Sequence, residues 1–146
     1  MATSTSTPIT ARNALPLLFV VAAALVDLRA RVLIAQRPEG KTFAGQWEFP
    51  GGKLHAGEAP EAALVRELQE ELGIGVLARD LTPFAFASHA YDDFHLLMPL
   101  YLCRHWQGSP VPLEGQAVQW VRPRDLGDFP MLPADVPLVA HLQAAL

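Results

Sequence analysis

The stretch GGKLHAGEAPEAALVRELQEELGI, residues 51–74, places many acidic side chains in a segment that is predicted to be helical. Pro60 suits the first turn of a helix, where its missing N–H costs little, and Gly73 suits the C-terminal stop. On a helical wheel of about 100° per residue, three acids gather on the side opposite the apolar residues. These acids are Glu67, Glu70 and Glu71.

An acidic helix face of this kind has two interpretations. Like charges three or four residues apart destabilise a helix by only a few tenths of a kcal/mol, so the face can simply be solvated surface. Alternatively, the carboxylate oxygens can form a cage for hard divalent cations. The three glutamates by themselves favour the solvated surface.

Composition limits the class of protein. The chain has 146 residues, of which 51% are hydrophobic and 18% charged, and this fits one globular domain. The formal net charge is −4, and no basic stripe typical of a nucleic-acid-binding protein is visible. We therefore expect no nucleic acid polymer as a partner. An acidic protein that acts on a polyphosphate would need cations to neutralise the substrate.

The start of the chain is polar and rich in Ser and Thr, so residues 1–15 are predicted to be a disordered tail and residues 16–146 the domain. The apolar run from Leu17 to Val26 is too short to span a bilayer and is followed closely by Asp27 and Arg29. It is predicted to be a buried strand, and the protein to be cytoplasmic, with no membrane partner. Cys103 is the only cysteine, which excludes an internal disulfide.

Strands outnumber helices in the predicted secondary structure. Further strands are expected at residues 32–37, 47–52, 76–81, 84–90, 95–106 and 117–121, and a second helix at residues 134–146. Pro99 interrupts the strand at residues 95–106 and favours an edge position or a bulge. Together these elements predict a mixed α/β layered domain.

The spacing of the acidic segment changes the balance between the two interpretations. It runs from Gly52 through Glu58, Arg66-Glu67-Leu68 and Glu70-Glu71 to Gly73-Ile74, and it matches the Nudix box at every defined position. The sequence therefore resembles the Nudix hydrolases. This resemblance implies a single-domain α/β/α sandwich with a mixed sheet, in an enzyme that cleaves a nucleoside diphosphate linked to another group.

The flanking sequence resembles the MutT-type branch of that family. The matching stretches are AQRPEGKTFAGQWEFPGGK before the box, and RHWQGSPVPLEGQAVQWV and FPMLPADVPLV after it. The resemblance implies hydrolysis of nucleoside triphosphates to a monophosphate and pyrophosphate, including oxidised guanine nucleotides such as 8-oxo-dGTP, and hence a role in DNA repair. The alternatives are a broader or cytidine-preferring pyrophosphohydrolase, and a nucleotide-binding Nudix module without catalysis.

The resemblance also implies a metal site. Mg²⁺, with Mn²⁺ as a substitute, would be held by the Gly51 carbonyl and by four carboxylates: Glu67, Glu70, Glu71 and Glu114. Glu67 is the first candidate for the general base, with Glu70 or Glu114 as alternatives. Structural roles in the motif fall to Gly52, Glu58, Arg66 and Gly73.

Four further residues are implied in substrate binding: Arg37, Phe49, Lys53 and Asp135. Asp135 stands where the MutT type has an asparagine that reads the oxidised base, and Phe94 stands about where it has a base-contacting arginine. An ionised Asp can only accept hydrogen bonds, whereas Asn both donates and accepts. The sequence therefore leaves the preferred base open. The expected partner is a nucleoside triphosphate, bound by a monomer or a homodimer.

Overall fold

The fold has seven strands in the described residues, with one helix between the fourth and fifth strands and another after the last strand. A computed structural model describes residues 14–146, so most of the predicted tail lies outside the described residues. The strands are β1 Leu17–Leu25, β2 Val32–Gln36, β3 Trp47–Glu48, β4 Gly51–Lys53, β5 Leu81–Ala90, β6 His95–Cys103 and β7 Ala117–Val121. The helices are α1 Pro60–Leu72 and α2 Val136–Ala145, with short 3₁₀ turns at Ala78–Asp80 and Pro123–Asp128.

The strands form two sheets. The larger has the order β4-β1-β6-β5 and is mixed, because β1 runs parallel to β6 but antiparallel to β4. The smaller has the order β3-β2-β7 and is antiparallel. The mixed α/β class predicted from the sequence is therefore confirmed.

Alternate residues of β1 face two separate cores. Val21, Ala23 and Leu25 pack on the side of α1, with its buried residues Leu64, Leu68 and Leu72. Ala22, Ala24 and Val26 pack on the other side, with Leu138 and Leu142 of α2. Each fully buried leucine contributes roughly 1.5–3 kcal/mol, so both helices are fixed to the sheet by their apolar faces. The layers are helix, sheet and helix, as expected.

The ends of α1 follow the sequence closely. Ala59 is the N-cap, with extended φ and ψ of −70° and 150°, and its side chain makes no capping hydrogen bond. Pro60 occupies the first turn, and Gly73 ends the helix in the left-handed region at φ 69°. This position is strained for a residue with a Cβ atom, which explains the glycine.

Three strand predictions were wrong. Residues 47–52 are not one strand, because β3 lies in the smaller sheet and β4 in the larger one. Residues 76–81 are not a strand: a 3₁₀ turn at Ala78–Asp80 leads into β5, which is one strand from Leu81 to Ala90. Pro99 does not lie at an edge, since β6 is flanked by β1 and β5. The pairing of β1 with β6 stops at Phe19–Leu97 and resumes at Ala22–Leu100. Pro99, which has no N–H to donate, falls in that gap.

The helices described in residues 14–146 are all too short or too polar to cross a bilayer.

Candidate active site

The first functional element is the contact between the Gly51-Gly52 turn and α1. The Gly51 N–H donates a hydrogen bond of 3.0 Å to Oε2 of Glu71. A Cβ atom on Gly52 would overlap the carboxyl group of Glu67, and one on Gly51 would overlap the Val21 carbonyl oxygen. Only glycine allows the backbone to come this close to the carboxylates of the helix.

Arg66 ties the loop before α1 to the acids of the helix. Its Nε and Nη2 donate to the two carboxyl oxygens of Glu58 at 2.8 and 2.9 Å, and Nη2 also reaches the Lys53 carbonyl at 3.1 Å. Its Nη1 donates to Glu67 at 3.1 Å and to Glu70 at 3.3 Å. The Arg66 hydrogen bonds, with the His55 N–H, lower the pKa of Glu58 to about 2. The guanidinium thus offsets the repulsion among these carboxylates.

Glu71 and Glu67 are carboxylates in a poorly solvated place. Glu71 is only 9% exposed. Burial raises its pKa to about 8, with a further contribution from the negative charges of Glu48, Glu67 and Glu114, while the Gly51 N–H opposes the shift. Burial also raises the pKa of Glu67, against the effect of Arg66. Such shifts are typical of functional acids, because a fold with no use for them would not bury several together.

A loop after β6 brings Glu114 to the same acids. The Leu113 N–H and Gln116 Nε2 donate to the Glu71 carbonyl at 3.0 and 3.1 Å. Gln116 Oε1 in turn accepts from the Glu114 N–H at 2.8 Å. Glu114 is exposed and lines one cleft with Glu67 and Glu71. The structure therefore brings together three of the four predicted metal-binding carboxylates.

Glu70 is the fourth, and it lies apart from the cleft. Its side chain is 53% exposed and is paired with Arg66. Within residues 14–146, no three His, Cys, Asp or Glu side chains are arranged closely enough to hold a metal ion. Arg66 hydrogen-bonds to both Glu67 and Glu70, and its pairing with Glu70 keeps that side chain apart from the other acids. For Glu70 to join the other acids at a metal ion, its side chain would have to turn from Arg66 toward the cleft.

The cleft has a volume of about 480 Å³ and extends from these acids to a second, aromatic end. At that end Asp135 is 2% exposed, and its Oδ2 accepts a hydrogen bond of 3.0 Å from the Phe49 N–H. Residues 130–132 lie along β3, where the Trp47 N–H donates to the Pro130 carbonyl at 2.8 Å. This pairing carries Asp135 to the floor of the cleft. Burial raises its pKa to about 7.

Aromatic rings surround this end of the cleft. Tyr91 lies 5.7 Å from Phe43, 5.0 Å from Phe94 and 4.6 Å from His89, measured between ring centroids. The Tyr91 hydroxyl accepts a hydrogen bond of 3.3 Å from the Ala134 N–H, next to Asp135. Phe43 has a φ of 57°, a strained value for a residue with a side chain. Sequence analysis missed Phe43, which lies in a segment that reads as an ordinary loop.

Glu48 is the other residue that sequence analysis missed. It lines the cleft between its two ends and pairs with Arg37, whose Nη1 lies 3.1 Å from Glu48 Oε2. Arg37 Nε also donates to the Thr42 carbonyl at 2.6 Å. Burial raises the pKa of Glu48, while Arg37 and Lys41 oppose that shift. Its position directly before Phe49 was the available clue. Lys53 lines the cleft as well and is exposed.

Comparison with known proteins identifies the family to which the chain belongs. Residues 21–141 match the model of the NUDIX domain. The chain is 37% identical over 114 residues to an 8-oxo-dGTP diphosphatase of Escherichia coli K12, covering 77% of this chain and 85% of that protein. It is 36% identical over 126 residues to a CTP pyrophosphohydrolase of the same strain, covering 85% and 90%.

A solved structure gives the same result for the fold. It comes from work on MutT of Aliivibrio salmonicida and Vibrio cholerae, and it superposes with a TM-score of 0.76 at 34% sequence identity. The match covers 89% of this chain and 99% of that one.

Proposed function

Since this chain belongs to the Nudix family and is a MutT-like Nudix hydrolase, we propose that it hydrolyses nucleoside triphosphates to a nucleoside monophosphate and pyrophosphate. We propose Mg²⁺ as the cation and oxidised guanine nucleotides such as 8-oxo-dGTP as the preferred substrates. One observation carries the proposal: a single cleft joins Glu67, Glu71 and Glu114 at one end to Asp135 and aromatic rings at the other. Phosphates fit the first end once cations are bound, and a base fits the second.

The donor set at the acidic end fits a hard divalent cation. Mg²⁺ prefers oxygen ligands, and Glu67, Glu71 and Glu114 supply carboxylate oxygens around a glycine turn that leaves room beside them. We propose that Glu70 and the Gly51 carbonyl complete the set. A bound cation would neutralise phosphate charge and lower the pKa of a water molecule. The clustered acids would otherwise repel one another and the substrate.

Glu67 is the best-placed base for the attacking water. Its Oε2 accepts from Arg66 at 3.1 Å, which leaves Oε1 to receive a proton. The raised pKa of Glu67 brings its basicity toward neutral pH, where a general base works best. Glu70 and Glu114 are the alternatives, but both side chains are more exposed. Arg66 would hold the carboxyl group in one orientation throughout.

Asp135 would read the base, with Phe49 and the aromatic rings packing against it. A pKa of about 7 means that the protonated and ionised forms of Asp135 coexist near neutral pH. With Oδ2 taken by the Phe49 N–H, the protonated acid can donate a hydrogen bond from its other oxygen, as the amide of asparagine can. The replacement of asparagine by Asp135 is therefore compatible with an oxidised guanine edge.

Two observations favour a cytidine nucleotide as the alternative substrate. Phe94 lines the cleft and, by the resemblance, stands about where the MutT type has a base-contacting arginine, so that contact would be lost. An ionised Asp135 would accept from the exocyclic amine of cytosine, and a relative of similar identity is a CTP pyrophosphohydrolase.

Pyrophosphate release from a panel of nucleotides tests the proposal. The panel contains 8-oxo-dGTP, dGTP, dCTP and CTP, each with Mg²⁺ and with excess EDTA. Glu67→Gln should lower kcat by about 100-fold or more in Mg²⁺ without unfolding the protein. Asp128→Asn, an exposed acid on the 3₁₀ turn away from the cleft, is the matched control and should be active. Full turnover in EDTA, or release of phosphate in place of pyrophosphate, would contradict the proposal.

A further inference from the structure

A second concave site lies at the turn between β1 and β2. It is a groove of about 520 Å³ that shares no residue with the cleft. The lining residues are Arg29, Ala30, Arg122, Pro123, Arg124, Gln143 and Leu146. The cleft is lined by residues 18 and 20–22 of β1, whereas the groove begins at the turn that follows β1. The two sites are therefore on different parts of the molecule.

The three arginines of the groove have no acidic partner. Among the described residues, the salt bridges involve only Arg31, Arg37 and Arg66, each with its own carboxylates. Residues 1–13 contain no Asp or Glu that could pair with the groove. Asp27, the acid nearest to Arg29 in sequence, is already bound to Arg31 at 2.8 Å. In a chain with a net charge of −4, the groove is thus a local site of positive charge.

The backbone beside the groove is held in one conformation. Asp27 Oδ1 accepts from the N–H groups of Arg29 and Arg31 at 3.0 and 2.8 Å. Ala30 has a φ of 60°, in the left-handed region that alanine rarely adopts. Across the groove, Gln143 Nε2 donates to the Pro123 carbonyl at 3.0 Å. Arg29 is therefore presented from a fixed turn rather than from a flexible loop.

The same turn exposes a leucine completely. Leu28 has a relative exposure of 105%, the highest among the exposed large hydrophobic residues. Leu28 directly precedes Arg29 in this turn, so an exposed apolar side chain and an exposed guanidinium group follow one another and offer two kinds of contact. Guanidinium groups bind carboxylates through paired, planar hydrogen bonds, and the leucine can pack against an apolar side chain.

We propose that this groove binds an acidic segment of a partner protein, with carboxylates on Arg29, Arg122 and Arg124 and an apolar side chain on Leu28. A peptide fits better than a nucleic acid for two reasons. The net negative charge repels an extended polyanion, and the walls contributed by Ala30, Pro123 and Leu146 are apolar. The small size of the groove indicates a weak, transient interaction with a Kd on the order of micromolar.

Fluorescence anisotropy with a defined probe tests this inference. The probe is a short labelled peptide of alternating aspartate and leucine, titrated with the intact protein at about 50 mM salt. We expect saturable binding that the triple variant Arg29→Gln, Arg122→Gln and Arg124→Gln weakens by about tenfold or more. Leu28→Ala should weaken it as well, because the apolar contact is lost. Nucleotide hydrolysis should be unchanged in both variants, since the groove is separate from the cleft.

The control is the double variant Arg79→Gln and Arg104→Gln, which removes two positive charges where the triple variant removes three. Both arginines are exposed and lie outside the groove and the cleft. This variant should bind the peptide as the wild type does. Equal loss of peptide affinity in the triple variant and in the control variant would mean that only the overall charge of the protein matters, and would overturn the proposal. It would also be overturned if the wild type did not bind the peptide at about 1 mM, or if labelled oligo-dT bound more tightly and lost its affinity in the triple variant.

Discussion

The N–H of Phe49 donates a hydrogen bond to Oδ2 of Asp135, a residue 86 positions later in the chain. This bond joins the end of β3 to the segment before α2, at the floor of the cleft. One carboxyl oxygen of Asp135 is occupied by the backbone, and the other is left for a ligand. Because the group is buried, its protonation state near neutral pH decides whether it donates or only accepts.

Substitutions of Asp135 should change base preference more than turnover. Asp135→Ala leaves the Phe49 N–H without its acceptor and removes the base contact, at a cost of about 1–3 kcal/mol. We expect kcat/KM to fall about tenfold or more for the preferred nucleotide and much less for poor ones. Asp135→Asn keeps an acceptor for Phe49 and should shift the preference, because the amide both donates and accepts at every pH. Equal losses for 8-oxo-dGTP, dGTP and dCTP would show that the base is read elsewhere.

Glu71 should make the metal-free protein less stable as pH rises. Its folded pKa of about 8 lies above the ordinary value of 4.5, so between these values the folded state binds more protons than the unfolded state. The free energy of unfolding therefore falls as pH increases from about 5 to 8, and Asp135 adds to this fall below pH 7. Glu71→Gln should remove its part, on the order of 4 kcal/mol at pH 8.

Added Mg²⁺ distinguishes the titration of Glu71 from other causes of the change in stability with pH. At pH 8, in urea unfolding without nucleotide, Mg²⁺ should stabilise the wild type because it binds the ionised carboxylates of the folded state. It should have little effect on Glu71→Gln. Identical pH profiles for the two proteins would contradict the burial of a titrating carboxyl group at this position.

Gly52→Ala should impair catalysis while leaving the fold largely intact. The added Cβ atom would overlap the Glu67 carboxyl group, which is the flexible end of a side chain and can move aside. We expect kcat to fall about tenfold or more, because the general base Glu67 would lose its position. The free energy of unfolding should change by less than about 1 kcal/mol. Gly127→Ala is the control, since a Cβ atom there meets open space. Unchanged kcat in Gly52→Ala would argue against Glu67 as the base.

Ala59→Thr should stabilise the protein. Ala59 is the N-cap of α1 but offers no side-chain acceptor to the free N–H groups of the first turn. A threonine oxygen at this position should raise the free energy of unfolding by roughly 0.5–1 kcal/mol. Ala62→Thr, an exposed position inside the helix, should instead lower it slightly, because threonine is a weaker helix former. A lower denaturant midpoint in Ala59→Thr would contradict the conclusion that the first turn of α1 lacks a capping side chain.

Local patterns predicted much of this structure. Pro60 and Gly73 mark the ends of α1 because their backbone restrictions act within one turn. β1 was found from its apolar run for the same reason. The site was harder to predict. Glu48 and Phe43 reach the cleft only through the packing of distant segments, and no periodicity encodes that approach.

Two further features could not be predicted for a related reason. A proline in a predicted strand indicates an edge, yet Pro99 lies in the central strand β6 because β1 leaves a gap in its pairing there. The exposure of Glu70 also could not be read from a helical wheel. A wheel shows which residues share a face, but not where Arg66 will hold one of them.

The loop that closes over the C-terminal end of α1 has a consequence for protein engineering. Val111, Leu113 and Gln116 donate to the carbonyls of Leu72 and Glu71, so this loop and the acidic end of the cleft form one unit. Grafting residues 104–116 from a relative would therefore alter the spacing of the acids together with the loop. The segment at residues 38–46 and the turn before α2 are held by hydrogen bonds to Arg37, Trp47 and Phe49, but they make none to the acids at the other end of the cleft. A library confined to them could retune the choice of base while the hydrolytic end stays as it is.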